Sequence, residues 1–163
     1  MSAVKLDKAV KSIVGVHDNF EENEKGEVTK VTTSVSIEVS PGHGAPVLIT
    51  KDGVARTHPN DLDLSTKGVG AKIAYLRAII ALVNEIKRLV ESGDMDIDIS
   101  DSDKFVRSIE DEIKSFIDKK ESVYQKIRAA RNGDESNKVR TCFRRDNGEV
   151  GFETTGIRVG GES

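Results

Sequence analysis

The chain has 163 residues, 36% of them hydrophobic and 33% charged, and a net charge of −3 from 25 Lys and Arg against 28 Asp and Glu. That length suits one domain of ordinary size. The charge balance excludes both the basic profile of a dedicated nucleic-acid binder and the extreme acidity of a nucleic-acid mimic, while leaving room for local basic patches. Cys142 is the single cysteine, so an intrachain disulfide is impossible and a reducing compartment is favoured.

The first twenty residues mix charges into their apolar positions and do not read as a secretory signal. No window approaches the run of about 18 apolar residues that a membrane span needs. Val4, Leu6, Val10, Ile13, Val14 and Phe20 include spacings of three and four, from Leu6 to Val10 and from Val10 to Ile13 and Val14. That spacing predicts an amphipathic helix over 4–20, interrupted near Gly15. EENEKGE (21–27) is a polar turn. VTKVTTSVSIEV (28–39) alternates apolar and polar residues and predicts a half-buried strand. SPGHGA (40–45) breaks it. PVLIT and GVART then flank Lys51-Asp52-Gly53, and Asp-Gly between β-branched runs is a hairpin signal. Three antiparallel strands are therefore expected within 28–58.

Two helices follow, at 66–92 and 102–131. Val69, Ile73, Leu76, Ile80, Val83, Lys87 and Val90 form one heptad seam. Val106, Ile109, Ile113, Phe116, Lys120, Val123, Ile127 and Ala130 form a second. The connection from Ser92 to Ser102 is short enough for antiparallel packing, so a long helical hairpin is predicted. Ile79, Leu82 and Ile86 widen the first helix's apolar face, which suits packing on the sheet and on the second helix at once. The second helix has a narrower stripe and a charged outer face that includes Glu110, Asp111, Glu112, Lys114, Asp118, Lys119 and Glu121. It could pair with the first helix or with a symmetry mate, and the seams suggest a homo-oligomer. Arg131-Asn132-Gly133 should close it, with Gly133 as a left-handed cap. A terminal β-hairpin is expected over 138–159, turning at Asp146-Asn147-Gly148. The fold class read from the sequence is α+β, one domain: a three-stranded antiparallel sheet packed on the helical hairpin, with an N-terminal helix and a C-terminal β-hairpin.

Catalytic signatures are missing. There is no GxxxxGK[ST], HExxH, GxSxG or CxxC, and no paired acid and base or activated nucleophile is visible, which makes an enzyme the least favoured class. His17, His43 and His58 lack metal-ligand spacing, and Cys142 falls in a predicted strand, where a core position suits it. DMDIDISDSD (94–103) has the alternating aspartates of a calcium loop but not the turn glycine or the closing glutamate. It reads better as a loop whose apolar residues tuck under the hairpin while Ser100 or Asp101 caps the next helix. No metal or cofactor is expected.

Binding chemistry is visible in two places. Ser65 or Thr66 would cap the first long helix, Gly68 and Gly70 reduce bulk at its start, and Arg56, His58, Lys72 and Arg77 lie nearby. A helix start with small residues and cations favours anions, because unpaired N–H groups and the dipole point outward. Arg77 could equally lay its stem on the sheet edge. Arg77, Asn84 and Arg88 form one polar stripe on that helix. The second place is the basic group Lys126, Arg128, Arg131, Lys138, Arg140, Arg144 and Arg145, with Phe143 among them. A stacking ring beside guanidinium groups suits nucleotides, although strand alternation could instead send Phe143 into the core.

GVARTHPNDLDLSTKGVGAKIAYLRAI resembles a segment of small phage-encoded proteins. In these, a hairpin strand G-x-A-x leads into His-Pro or Asn-Pro with a nearby Asp, followed by a second Asp, a Gly and an Ala-x-x-Arg-Ala helix. The matching positions are Gly53, Ala55, His58, Pro59, Asp61, Asp63, Gly68 or Gly70, Ala74, Arg77 and Ala78, a segment of roughly a quarter of the chain. It is also similar to a small bacterial family with a double-stranded-RNA-binding-domain-like β-β-β-α fold. The resemblance implies the sheet-plus-helix core of a phage accessory protein acting in the host cytoplasm. Phage proteins of this build include anti-defence sponges that sequester nucleotide second messengers such as cyclic ADP-ribose isomers, using oligomers and arginine-rich pockets. That likeness is architectural and carries over no binding residue.

The first functional expectation is a non-enzymatic protein that sequesters a phosphate-bearing, nucleotide-like ligand through Arg56, His58, Lys72, Arg77, Arg140, Phe143, Arg144 and Arg145. The alternatives are nucleic-acid binding through the same cations, and a protein-interaction inhibitor of a host enzyme acting through the charged helical hairpin.

Overall fold

The computed structural model describes residues 4–42 and 44–136. The predicted terminal hairpin lies outside the described residues, and with it His43, Arg140, Cys142, Phe143, Arg144 and Arg145. The elements in chain order are β1 (Val4–Lys5), α1 (Leu6–Val10), β2 (Ile13–Glu22), β3 (Val28–Val39), β4 (Val47–Arg56), a 3-10 turn (Pro59–Asp61), α2 (Lys67–Glu91), β5 (Ile97–Asp98) and α3 (Ser102–Ser136). Backbone contacts divide the chain into two compact units, Met1–Phe116 and Ile117–Ser163.

The first unit is α+β, and its centre is an antiparallel sheet in the order β2-β3-β4. The central strand shows the predicted alternation: Val31, Thr33, Val35, Ile37 and Val39 are all buried. Ile49, Gly53 and Ala55 of β4 continue the same face. α2 lies over β3 and β4 and closes that face with Ala74, Ala78 and Leu82 among its buried positions. The buried Thr33 hydroxyl donates to Asp18 Oδ1 at 2.7 Å, so the one polar side chain in the row is satisfied.

Two of the sequence expectations need correction here. Residues 13–20 are not helical. Only Leu6–Val10 forms a short helix, and Ile13–Glu22 is the first strand of the sheet. Spacings of three and four over a short window coexist with the period-two pattern Val14, Val16, Phe20. The long-range ladder to β3 decides between them, pairing Val16 with Val35 and Phe20 with Val31. The hairpin turn is EENEKGE, where the Asn23 side chain accepts from the Lys25 and Glu27 amides at 3.0 and 2.9 Å.

The second correction is Asp52-Gly53. No turn forms there, because β4 runs unbroken from Val47 to Arg56, with Asp52 opposite Ser34 and Gly53 opposite Thr33. The glycine serves contact instead. A Cβ on Gly53 would lie 1.9 Å from the Ala74 carbonyl oxygen and 2.4 Å from the Ala78 amide nitrogen. α2 therefore approaches the strand backbone to backbone, a recurrent reason for glycine inside a strand.

Both long helices are present. Thr66 Oγ1 accepts from the Val69 amide at 3.2 Å and caps α2. The first part of α3 runs antiparallel to α2, since Lys87 reaches Asp103 at 3.3 Å while Lys72 reaches Glu112 at 3.4 Å. Ile109 and Ile113 are buried on this stretch. The acidic loop between the helices behaves as a packing loop. Met95 and Ile97 are buried, and Ile97–Asp98 pairs in parallel with Val4–Lys5.

In the second unit α3 continues past Gly133 to Ser136, so Arg131-Asn132-Gly133 does not end it. The expected seam also slips by one residue. Val123 is 52% exposed and Tyr124 is buried, as a 3.6-residue helix drifts off a strict 3.5-residue repeat. Lys120 lies 5.2 Å from the Tyr124 ring centroid.

Candidate interaction surface

The four described members of the expected anion site do not converge. Arg56 ends β4 on the face away from α2, opposite Lys30. His58 Nδ1 accepts from the Asn60 amide at 3.1 Å and so caps the 3-10 turn. Lys72 turns toward α3, where Nζ meets Glu112 Oε2 at 3.4 Å and sits 5.5 Å from the Phe116 ring centroid. An Arg77 guanidinium nitrogen donates to the Val54 carbonyl at 2.7 Å, tying α2 to the backbone of β4. Gly70 packs against Val31, so this part of the helix start faces the sheet. Of the polar stripe Arg77, Asn84 and Arg88, Arg88 is engaged by Glu85 through two hydrogen bonds of 3.0 and 2.6 Å.

Two carboxylates are held in their charged forms. The Arg88 guanidinium lowers the Glu85 pKa, with Lys51 adding to it. The Ser100 hydroxyl and then its amide lower that of Asp98, with Lys5 contributing less. A carboxylate with a lowered folded pKa stabilises the fold above its ordinary value, and that contribution is lost as pH falls through the folded value. The acid limb of stability should therefore steepen below the ordinary Asp and Glu values of 3.8 and 4.5. Thermal melts from pH 6 downward should show a shallower acid loss in Asp98→Asn and Glu85→Gln than in the parent chain.

A cleft of about 320 Å³ lies between α1 and the start of α3, over Leu6 and Phe105. Its lining carries Lys5 and Lys104 with Asp7, Asp98 and Asp101, so charges of both signs are mixed there. Among the described residues no group of three metal-ligating side chains occurs, and no helix is long and apolar enough to cross a membrane.

The more distinctive surface is apolar. Six large hydrophobic side chains are exposed among the described residues: Val4, Val14, Val16, Val47, Leu48 and Val123. Four of these lie at one end of the sheet. Val14 and Val16 stand early in β2, Val47 and Leu48 open β4, and both sets lie beside residues 35–39 of β3. Val14 is 59% exposed and Leu48 63%. β2 is exposed along nearly its whole length because α2 stands over its neighbours, and among the described residues no strand pairs with its outer edge. The helix expected over 4–20 hid this surface from the sequence reading. The alternation of Val14, Val16 and Phe20 was the signal for it.

No family model, curated protein or solved structure matches this chain.

Proposed function

We propose that this protein is a non-enzymatic binding protein whose partner is another protein, engaged through the apolar end of its sheet. The observation that carries this reading is the clustering of Val14, Val16, Val47 and Leu48 at one sheet end. Exposed apolar residues are ordinary when scattered singly, but four around one sheet end, with Val16 and Val47 on the helix-side face and Leu48 on the opposite one, favour a contact that wraps that end. The resemblance of residues 53–78 to phage-encoded segments makes a host protein the partner of choice. Sequestration of a phosphate-bearing ligand draws less support, because Arg77 and Lys72 already have protein partners on different sides of α2.

One experiment separates the two readings. The immobilised full-length chain should capture a defined protein from host lysate, and Leu48→Lys should lose it while its thermal melt stays unchanged. Calorimetry with a panel of cyclic nucleotides should give no heat. Stoichiometric heat that Arg77→Met abolishes would overturn the reading in favour of the phosphate ligand.

A further inference from the structure

We propose that the cleft between α1 and the start of α3 binds a small zwitterion with an apolar body, of the free amino-acid class, with Lys104 taking its carboxylate and Asp101 its ammonium. The cleft measures about 320 Å³, at the lower end of the range for small-molecule sites. Its apolar lining is Leu6 and the half-buried Phe105. A partly open aromatic ring with a few charged groups around it is the usual make-up of a site that fixes a small ligand's orientation.

The charges decide the ligand class. Lys5 and Asp98 are already engaged. They pair at 3.7 Å, and Ser100 donates to Asp98 through its hydroxyl at 2.6 Å and its amide at 3.0 Å. Asp7 accepts from the Lys8 amide at 2.9 Å. Asp101 and Lys104 also line the cleft, and among the described residues neither side chain has a hydrogen-bond or ion-pair partner. An acid and a base three positions apart at a helix start ordinarily meet each other. Here they do not, so the cleft offers one uncompensated charge of each sign. A purely cationic ligand such as a diamine would leave Lys104 beside a like charge, and a simple carboxylic acid would do the same to Asp101. A zwitterion answers both through charge-assisted hydrogen bonds. An α-amino acid joins its two charges and its apolar group at one carbon, which suits two charged side chains one helical turn apart beside a ring.

Nuclear magnetic resonance titration of the full chain tests this. Leucine or phenylalanine should shift the amide resonances of Leu6, Phe105 and Ser108 saturably. Isoamylamine is leucine without its carboxylate, and isocaproic acid is leucine without its ammonium. Each should bind roughly tenfold more weakly than leucine. Lys104→Met should erase the preference for leucine over isoamylamine and keep that over isocaproic acid, and Asp101→Asn should do the reverse. Both side chains are exposed, so the two variants should melt with the parent chain. A merely structural role would move all three affinities together and not one preference. The inference is overturned by the absence of saturable shifts with either amino acid up to about 10 mM, by binding that does not distinguish leucine from its two halves, or by preferences that survive both substitutions. The cleft shares no residue with the apolar sheet end, so each of these results leaves Leu48-dependent capture of another protein intact.

Discussion

Gly53→Ala is expected to destabilise the protein by about 4 kcal/mol, near the upper end of what one substitution does. The added methyl would overlap the Ala74 carbonyl oxygen at 1.9 Å and the Ala78 amide nitrogen at 2.4 Å. Both are backbone atoms of a helix turn, so no side-chain rotation relieves the clash. The strand and α2 must move apart by more than an ångström, and that gap opens along the Val31, Val35 and Ile49 face beneath the helix. Overpacking of a close-packed interior usually costs about 1–3 kcal/mol, and a backbone-to-backbone contact has less room to relax than that average. Urea unfolding followed by circular dichroism measures the effect. Gly15→Ala is the control: a Cβ there meets nothing within 4 Å, and the change should stay within about 0.5 kcal/mol. Equal losses at the two glycines would show that strand flexibility, and not helix approach, sets the cost.

The same glycine shows where local reading stops. Asp-Gly between β-branched runs has one meaning if the chain turns there and another if a helix lies across it, and nothing within ten residues distinguishes them. The helix that decides the matter begins at Lys67 and meets Gly53 through Ala74 and Ala78. β2 failed for a related reason. Its apolar residues fit a helical spacing locally, and only the pairing with β3 makes them a strand. By contrast β3, α2 and α3 were legible, because alternation over residues 31–39 and heptad spacing over 69–90 and 106–130 leave little room for another period. The loop 94–101 was also legible, since aspartates alternating with Met95, Ile97 and Ile99 lacked the glycine and glutamate a calcium loop requires.

The candidate site was less legible than the fold. Cations are conspicuous in a sequence, yet Arg77 and Lys72 are spent on a strand carbonyl and a helix contact. Exposed valines draw no notice until their neighbours are placed. What marks Val14, Val16, Val47 and Leu48 is that two separate strands bring them to one end of one sheet.

Leu82→Ala should cost about 3–4 kcal/mol, while Ile80→Ala should cost nearer 1 kcal/mol. Both residues are aliphatic and of equal size, and they stand two positions apart on α2. The heptad seam ranks them the other way, with Ile80 inside and Leu82 beside it. In the structure Leu82 is 0% exposed, as are Val83 and Ile86, whereas Ile80 is half-buried. The difference follows from what α2 packs on. The sheet presents a broad face to the helix through β3 and β4, and the buried arc Ala74, Ala78, Leu82 and Ile86 turns toward it at spacings of four. α3 meets a different side of α2 through Ile109 and Ile113, a narrower contact flanked by the Lys72–Glu112 and Lys87–Asp103 pairs. Removing Leu82 leaves a cavity walled by a sheet and a helix that cannot collapse together, and such cavities carry the larger penalties. Removing Ile80 opens a rim position to water. Equal losses at the two positions, read from urea midpoints at constant m, would mean that the helical hairpin and not the sheet contact holds α2 in place. The coiled-coil seam would then be the true core.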